Sequence, residues 1–314
     1  MAAPSRAISF GSDAIVDRSP DTPRPAPLPE LRVDGPWCQR WRDRRHSWRH
    51  RSDGGFDPDR YRVGPLDEAT AKAFVTAHHY SGTYPAAVRR YGMWDQPTGQ
   101  LVGVAVYGVP MSLRVLTNVL PDLEPLTESL ELSRFVLLDG PGNQESWFLA
   151  RCFDELAARG VRGIVSFADP VPRQTAAGAV ICPGHVGTIY QATNAIYTGR
   201  GTARTIIVLP DGTTLNDRAI QKVRRQERGH LYVEQRLCAL GAIAPRAFES
   251  PTLWLTGALA TLGARRVRHR GCHRYCHVLG PTRRARAHVR VAITSRTFPK
   301  QPDLPPAQLW ESDL

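Results

Sequence analysis

The chain has 314 residues, of which 42% are hydrophobic, so it can bury the core of one large domain or of two small ones. Its 41 Lys and Arg residues outnumber 29 Asp and Glu residues. The net charge of +12 favours a polyanionic partner such as nucleic acid, with a merely basic protein as the alternative. No stretch approaches the ~20 apolar residues that cross a membrane, and no apolar leader follows Met1. We therefore expect no membrane contact, a cytoplasmic location and six reduced cysteines.

Residues 1–55 have the composition of a basic arm rich in Pro and Arg. The segment WCQRWRDRRHSWRHR places arginines among Trp37, Trp41 and Trp48 and sustains neither the helical nor the strand period. We therefore predict a disordered or loosely docked segment. Arginine among aromatic residues suits phosphate contact and base stacking, although a solvated tail has the same composition.

Residues 56–245 have the pattern of a folded core. The predicted order is a helix from near Asp67, a hairpin around the turn DQPTGQ, the strand ELSRFVLL, a glycine loop, the helix SWFLARCFDELAAR and the strand GIVSFADP. A short helix, the strand RTIIVLPDG and two further helices follow, ending at Gly241. This alternation predicts an α/β (α+β) fold, with one mixed sheet and helices on its faces.

Residues 246–314 form a basic extension. No Asp or Glu occurs between Glu249 and Asp303, and the segments RRVRHRGCHRYCH and TRRARAHVR fall within that span. A block of like charge this long usually faces a polyanion, so it is the strongest electrostatic indication of nucleic acid in the sequence. Within it, RYCHVLG could also add a strand to the edge of the sheet.

The first candidate site is the segment AHHYSGTYP, at the end of the first predicted helix. His79 and Tyr80 offer acid–base, hydrogen-bonding or metal-ligating groups on a loop, where functional residues concentrate. The alternative is a helix C-terminus with ordinary histidines.

The second candidate is the strand, loop and helix of ELSRFVLLDGPGNQESWFL. Arg134 lies mid-strand among apolar neighbours, so it should face a cleft or a carboxylate. Gly140, Gly142, Asn143 and Ser146 surround the start of a helix whose N–H groups can bind an anion such as a pyrophosphate. Neither a Walker lysine nor GxGxxG is present, and Ser146 could simply be the N-cap.

Two further candidates follow the next buried strand. Asp169 comes at the carboxyl end of that strand, where α/β proteins place ligand sites, although Asp before Pro is also a common turn. The segment HVGTIYQATNAIYTGR carries Tyr190, Gln191, Asn194 and Tyr197. Gln and Asn can read the edge of adenine and Tyr can stack on a base, while the alternative is an amphipathic helix with solvated polar residues.

The segment CHRYCH and the histidine before it contain residue types that bind zinc. They lack a second pair at zinc spacing, so we favour a strand with incidental Cys and His. The residues concerned are His269, Cys272, His273, Cys276 and His277.

Taken together, these segments resemble the Mom family of phage DNA-modification proteins. The resemblance covers roughly residues 70–245 and leaves the arm and the extension outside. It rests on ordered blocks: HYS at 79–81, ELSRF at 131–135, SWFL at 146–149, SFADP at 166–170, GTIYQATNAIY at 187–197, LPDGT at 209–213 and RAIQKVRRQE at 218–227.

The resemblance implies a core like that of the GCN5-related N-acetyltransferases (GNAT). It implies transfer of a carbamoylmethyl-type group to N6 of adenine in double-stranded DNA, which protects phage DNA from restriction inside a bacterial cell. Acetyl-CoA or a related acyl donor is the implied cofactor, and iron is a second candidate. The loop DGPGNQ departs from the GNAT pattern Gln/Arg-x-x-Gly-x-Gly/Ala, so conventional coenzyme A binding does not follow from it.

On this hypothesis catalysis falls to His79, Tyr80, Arg134 and Asp169. His79 and Asp169 are candidates for the base, or for metal ligands together with Tyr80, and Arg134 would hold an anionic donor or stabilise developing charge. The substrate-binding residues would be Ser146, Tyr190, Gln191, Asn194 and Tyr197, and the cofactor loop would comprise Gly140, Gly142, Asn143 and Ser146. Two alternatives stay open: a GNAT-type acetyltransferase for a small molecule or protein, and a non-catalytic DNA-binding protein with a degenerate GNAT core.

Overall fold

The structure, a computed structural model, describes residues 37–42, 45–50 and 56–300. These residues contain fourteen β-strands. In chain order they are β1 (Trp37–Arg42), β2 (Arg45–His50), β3 (Tyr61–Pro65), β4 (Ala87–Asp95), β5 (Gln100–Gly108), β6 (Ser129–Leu137), β7 (Gly163–Ala168), β8 (Arg173–Gln174), β9 (Val180–Cys182), β10 (Ile196–Arg200), β11 (Arg204–Val208), β12 (Thr214–Leu215), β13 (Arg265–His269) and β14 (His273–Val278).

Eight α-helices lie in the same described residues. They are α1 (Glu68–His78), α2 (Arg114–Thr117), α3 (Gln144–Ala157), α4 (Thr188–Ala192), α5 (Asp217–Arg225), α6 (His230–Ala239), α7 (Pro251–Thr261) and α8 (Arg283–Ala287). None of the described helices is both long and apolar enough to span a bilayer.

Seven strands form the main sheet, in the order β10-β14-β7-β6-β5-β4-β3. β3 to β6 are sequential antiparallel neighbours, whereas β6 and β7 run parallel because the chain crosses over through α3. β14 and β10 add two antiparallel strands beyond β7. The sheet is therefore mixed, and this confirms the predicted fold class.

Helices cover both faces of this sheet because alternate residues of a strand point to opposite sides. On β5, Tyr107 packs in one core with Phe148 of α3, whereas Val104 and Val106 pack in another with Phe74 of α1. One side of α3 packs on the sheet. The residues that α3 buries are Gln144, Phe148, Leu149, Cys152 and Leu156.

A second, smaller sheet has the order β12-β11-β13. Its strands are antiparallel, and α5, α6 and α7 pack against it around a separate apolar core. The buried members of that core are Leu209, Leu215, Val223, Val233, Leu237, Ala242, Trp254, Leu255 and Ala258. From β13 the chain turns at Gly271 directly into β14, so the two sheets are connected at that point.

The basic segment after residue 245 contributes to the main sheet. β14 lies between β7 and β10, an interior position, whereas the sequence suggested an edge strand at most. Tyr275 and Cys276 of this strand are fully buried. The predicted boundary at 245 therefore does not separate the extension from the sheet.

The predicted N-terminal arm contains one structured element among its described residues. β1 and β2 pair there as an antiparallel hairpin, where the sequence predicted no regular structure. The rest of the arm, residues 1–36, 43–44 and 51–55, lies outside the described residues, as do residues 301–314 at the other end of the chain.

His277 on β14 should make the stability depend on pH. Its Nε2 lies 2.9 Å from Thr193 Oγ1. The Thr193 hydroxyl donates to the carbonyl of Ile189, so Nε2 is assigned as the donor to Thr193. The Nδ1 of His277 is buried without a partner in the described residues. Burial lowers the pKa of His277 to about 3, from 6.5 in the unfolded chain. The unfolded state therefore binds the extra proton between pH 6.5 and 3, and stability is full above 6.5 and falls as the pH drops.

We expect this histidine to contribute a loss of about 1.4 kcal/mol per pH unit below pH 6.5 in the free energy of unfolding. Urea titrations between pH 7.5 and 5 measure it. The substitution His277→Gln, which keeps a donor towards Thr193, should remove that share of the slope. An unchanged slope in the variant would contradict a neutral buried His277.

Candidate functional site

The candidate site lies where β6 and β7 separate. The two parallel strands pair only over residues 129–132 and 163–166, and β6 continues past the end of this pairing. β7 ends at Ala168, and Asp169 follows it immediately. The carboxyl end of a parallel strand, where its neighbour diverges, is the usual position of a ligand site in α/β proteins.

Asp169 binds three donors. Arg173 Nη1 donates to its Oδ2, while His269 Nε2 and the backbone N of Val171 each donate to its Oδ1 at 3.0 Å. Burial alone would disfavour the charged carboxylate. The hydrogen bond from His269 and the charge of Arg173 outweigh this, so the pKa of Asp169 lies well below its usual range. Asp169 is therefore a permanently charged carboxylate and a weak base.

The hydrogen bonds around His269 fix its tautomer. The backbone N of Gly271 donates to Nδ1 at 2.9 Å, so Nδ1 is the acceptor and Nε2 carries the proton that points to Asp169. His269 is 1% exposed. It reaches the site from β13, 100 positions along the chain from its partner.

Gly271 permits this arrangement through its backbone. Its φ is +95°, and a Cβ there would lie 2.1 Å from the carbonyl oxygen of Gly201. We expect Gly271→Ala to lower the free energy of unfolding by about 2–5 kcal/mol, since strain and a backbone clash add. The matched control is Gly263→Ala, at φ +62° with nothing within 4 Å, which should lose only about 1–2 kcal/mol. Equal losses in urea denaturation would contradict the close approach.

Further polar side chains surround this centre, and together we name them the Asp169 cluster. Each interacts electrostatically with Asp169 or Arg173. The members are Tyr80, Asp169, Arg173, Cys182, His185, His269 and Cys272.

His185 and Tyr80 face each other in the cluster. Their ring centroids are 6.4 Å apart with the rings nearly perpendicular. Burial lowers the pKa of His185 in spite of the opposite effect of Asp169, so the imidazole is neutral at pH 7. Burial also raises the pKa of Tyr80, with Cys182 and Asp169 adding to it, so the phenol keeps its proton. The pair thus offers one proton acceptor and one hydrogen-bond donor.

His79 lies next to the cluster but does not have the geometry of the predicted base. The backbone N of Ser81 donates to its Nδ1 at 3.1 Å, and Ser81 Oγ lies 2.9 Å from the same atom. The proton of the neutral ring is therefore on Nε2. Burial lowers the pKa of His79, and Arg134 and His185 lower it further. In this state His79 is a hydrogen-bond donor whose acceptor nitrogen is already used.

Arg134 clamps the loop that carries His79 and Tyr80. Its Nε and Nη2 donate to the carbonyl and the hydroxyl of Thr83, each at 3.0 Å, and its Nη1 donates to the Ser133 carbonyl at 2.6 Å. No carboxylate among the described residues lies within ion-pair distance. Its charge is therefore balanced only from a distance, which suits a role next to an anion.

The four residues predicted to read adenine do not meet at one surface. Tyr190 and Tyr197 are buried, and each ring centroid lies 5.2 Å from that of Tyr275. Gln191 donates to the hydroxyl of Tyr275 at 3.2 Å, whereas Asn194 is exposed in a turn with φ +59°. Buried aromatic rings in the sheet core are not a base-stacking platform.

The predicted cofactor loop does lie at the N-terminus of α3, where backbone N–H groups can bind an anion. Asn143, not Ser146, is the N-cap of α3, with φ +67° and no side-chain cap bond. Ser146 lies inside the first turn, and its Oγ donates back to the Asn143 carbonyl at 3.0 Å. A Cβ on Gly140 would meet Gln144 Oε1 at 1.9 Å. Gly142 is partly buried in the same loop. The groups left for an anion are the backbone N–H groups of the first turn of this 14-residue helix.

A model of the Mom protein family matches residues 60–250, well over half of the chain. The chain belongs to the Mom family. No protein of curated function matches the sequence. Among solved structures it is similar to a tandem GNAT protein from the clavulanic acid biosynthesis pathway, without AcCoA, at 9% identity and a TM-score of 0.36 over 71% of this chain and 99% of that chain. A similarity at that score carries no argument about function.

The Mom match includes only part of the Asp169 cluster. It contains Tyr80, Asp169, Arg173, Cys182 and His185, and it ends before His269 and Cys272. Sequence reasoning found Tyr80 and Asp169, assigned no role to Arg173 and treated the later pair as incidental. An Arg four residues after an Asp is too common to be a signal, and no local spacing connects residue 269 with residue 169.

A metal site was predicted from His79, Tyr80 and Asp169. Among His, Cys, Asp and Glu in the described residues, one group of three has its ligand atoms within 4.8 Å of one another, namely Asp169, His269 and Cys272. It shares only Asp169 with the predicted set.

The donor atoms of this group are engaged in contacts with one another and with the protein. Asp169 is paired with Arg173, and His269 donates from Nε2 to the carboxylate while its Nδ1 accepts from Gly271. Burial raises the pKa of Cys272 to about 12, so a metal ion would have to displace the proton of its thiol. A bound metal would also have to break part of the hydrogen-bond network of Asp169 and His269, and we assign no step to iron.

Proposed function

We propose that this Mom-family protein is a transferase that modifies N6 of adenine in double-stranded DNA with a carbamoylmethyl-type group, protecting phage DNA from restriction in the bacterial cytoplasm. Family membership supports the substrate class. The observation that carries the proposal is the Asp169 cluster, because a buried and charge-balanced set of acid–base groups at the end of a parallel strand is the arrangement of a catalytic site.

The reaction needs a proton acceptor because N6 of adenine is a weak nucleophile with a lone pair delocalised into the ring. We assign this role to His185, the neutral imidazole beside Tyr80. N6 would bond to the activated carbon of the donor while the bond from that carbon to its leaving group breaks. The leaving group would depart with the electron pair of that bond, and N6 would lose one proton to His185. Asp169 stays charged throughout and holds Arg173 and His269 in position.

Two cationic side chains and one phenol can stabilise negative charge on the donor. Arg134 has no ion-pair partner in the described residues, and Tyr80 keeps its proton. Preorganised donors of this kind contribute most when water is excluded, and burial provides that condition here. Arg173 adds charge but is already paired with Asp169.

An acetyl-CoA-like donor fits the helix N-terminus described above. The backbone N–H groups at the start of α3 would hold its phosphates. The bound donor would supply an activated methylene carbon that carries the carboxamide, since acyl transfer from acetyl-CoA itself would leave an acetyl group on N6. The loop offers no basic side chain between Asp139 and Asn143, so the helix itself would provide the favourable field.

The target base has to leave the duplex to reach a buried cluster. Extrusion of one base costs a few kcal/mol of unstacking, which contacts between the basic surface and the phosphates can offset. The net charge of +12 is consistent with that requirement.

Mass spectrometry of nucleosides from cells that express the protein tests the proposal. Plasmid DNA should contain a deoxyadenosine whose added mass matches a carbamoylmethyl group, and DNA from cells expressing Asp169→Asn should lack it. Acetyl transfer to a small molecule or protein with unmodified DNA would instead identify an ordinary acetyltransferase. DNA binding with neither reaction would identify a non-catalytic binding protein.

A further inference from the structure

β13 has two chemically different faces. Val267 and His269 are buried on one face, and His269 donates to Asp169 from there. Arg266 and Arg268 alternate with them, Arg270 follows directly after the end of the strand, and all three are exposed. We name these three residues the β13 arginine row.

The row carries uncompensated positive charge. Among the described residues no carboxylate forms an ion pair with any of its three members, and the sequence has no Asp or Glu between Glu249 and Asp303. The neighbouring strand adds Thr205, which lies opposite Arg268 and is also exposed. In the described structure no acidic side chain therefore competes with an external anion for these three arginines.

The row is also close to the site. Residues two apart on a strand are separated by about 6.6 Å along the backbone, which is the spacing of Arg266 and Arg268, and Arg270 comes two residues further along the chain. One residue of the same strand, on its other face, contacts Asp169 at 3.0 Å. A polyanion lying along the row would therefore pass the Asp169 cluster at the distance of a single strand.

We propose that the β13 arginine row binds consecutive phosphates of the DNA strand that carries the target adenine. The choice of DNA as the polyanion rests on the proposed function. The row positions the duplex, because phosphate contacts fix register without reading sequence. His269 then links the strand that holds the DNA backbone to the carboxylate at the centre of the site.

An exposed arginine row on an edge strand has another use. β13 is an edge of the small sheet, and charged side chains there prevent two edges from pairing. The two roles predict different consequences of neutralising the row, one in DNA affinity and the other in self-association.

The test compares two triple variants of the full chain with equal loss of charge. One is Arg266→Gln, Arg268→Gln and Arg270→Gln. The other is Arg224→Gln, Arg225→Gln and Arg228→Gln, at exposed positions in and after α5. Duplex binding is measured by fluorescence anisotropy across salt concentrations, with unmodified DNA and no donor.

We expect the β13 variant to lose about 2.7 from the slope of log K against log salt and roughly 100-fold in affinity at 0.15 M salt, since each lost phosphate contact accounts for about 0.9. The α5 variant should lose clearly less. A triple Arg→Lys variant of the row should keep the slope. An unchanged slope, or equal losses in the two glutamine variants, would overturn the proposal.

Size-exclusion chromatography of the same samples separates the roles. If the β13 variant self-associates and its salt slope is unchanged, the row serves only to prevent pairing between edge strands, and the proposal is overturned. Modification of adenine is measured in a separate experiment, since DNA binding is measured without a donor. A reduced slope together with unmodified nucleosides in wild-type cells would retain the DNA contact and reject the transferase function.

Discussion

Asp169→Asn is expected to lower the free energy of unfolding by about 3–5 kcal/mol and to abolish DNA modification. The substitution leaves the buried Arg173 without its counter-charge, and breaking one side of a buried ion pair has an effect of this size. Asparagine keeps one acceptor oxygen, so it can accept from His269 or from Arg173 but not from both. Urea denaturation measures the first effect and nucleoside mass spectrometry the second.

A double variant separates folding from chemistry. Asp169→Asn combined with Arg173→Met removes both charges and should regain most of the lost stability while the DNA stays unmodified. Modification by the double variant at the wild-type level would exclude the charged pair from the mechanism. A single variant as stable as the wild type would show that Arg173 finds another partner.

His185→Gln is expected to reduce the rate of DNA modification by about 10²–10⁴-fold with little change in duplex affinity, as loss of a general base does. The side chain is neutral at pH 7 because burial lowers its pKa, and glutamine retains hydrogen bonding but accepts no proton. Single-turnover rates with saturating DNA measure the effect.

The matched control is His79→Gln, in the neighbouring loop. The acceptor nitrogen of His79 is engaged with Ser81, so this substitution should reduce the rate far less. The pH profile gives a second readout: because the pKa of His185 is lowered, the wild-type rate should persist below pH 6.5, and its acidic limb should disappear in His185→Gln. If His79→Gln reduces the modification rate more than His185→Gln does, His79 and not His185 is the base.

The main elements could be predicted from the sequence because their signals are local. The α1 start at Asp67, the turn before Gly99 and the apolar side of α3 each follow from capping, turn chemistry or period. The same applies to Asp169, which was found from its place after a buried strand. The low basicity of Asp169 could not be predicted from the sequence, because it depends on a hydrogen bond from His269, which lies on a strand distant in sequence.

The errors have a common physical origin in tertiary contacts. Tyr190 and Tyr197 have polar groups and follow a glycine, which matched a base-binding segment. Their rings instead fill space beside Tyr275, a residue contributed by β14. Sequence period cannot distinguish an aromatic ring that meets a ligand from one that meets a later strand, and β14 itself was predicted only as an edge.

The interior position of β14 has a consequence for synthesis of the protein. β7 cannot acquire its second neighbour, nor Asp169 its histidine, until residues 269–278 have left the ribosome. Pairings between segments this far apart in sequence form late. A chain released at the end of the family match, residue 250, would carry five members of the Asp169 cluster, including His185, but an open sheet edge at β7. The Asp169 cluster is therefore incomplete during synthesis until residues 269–278 are in place.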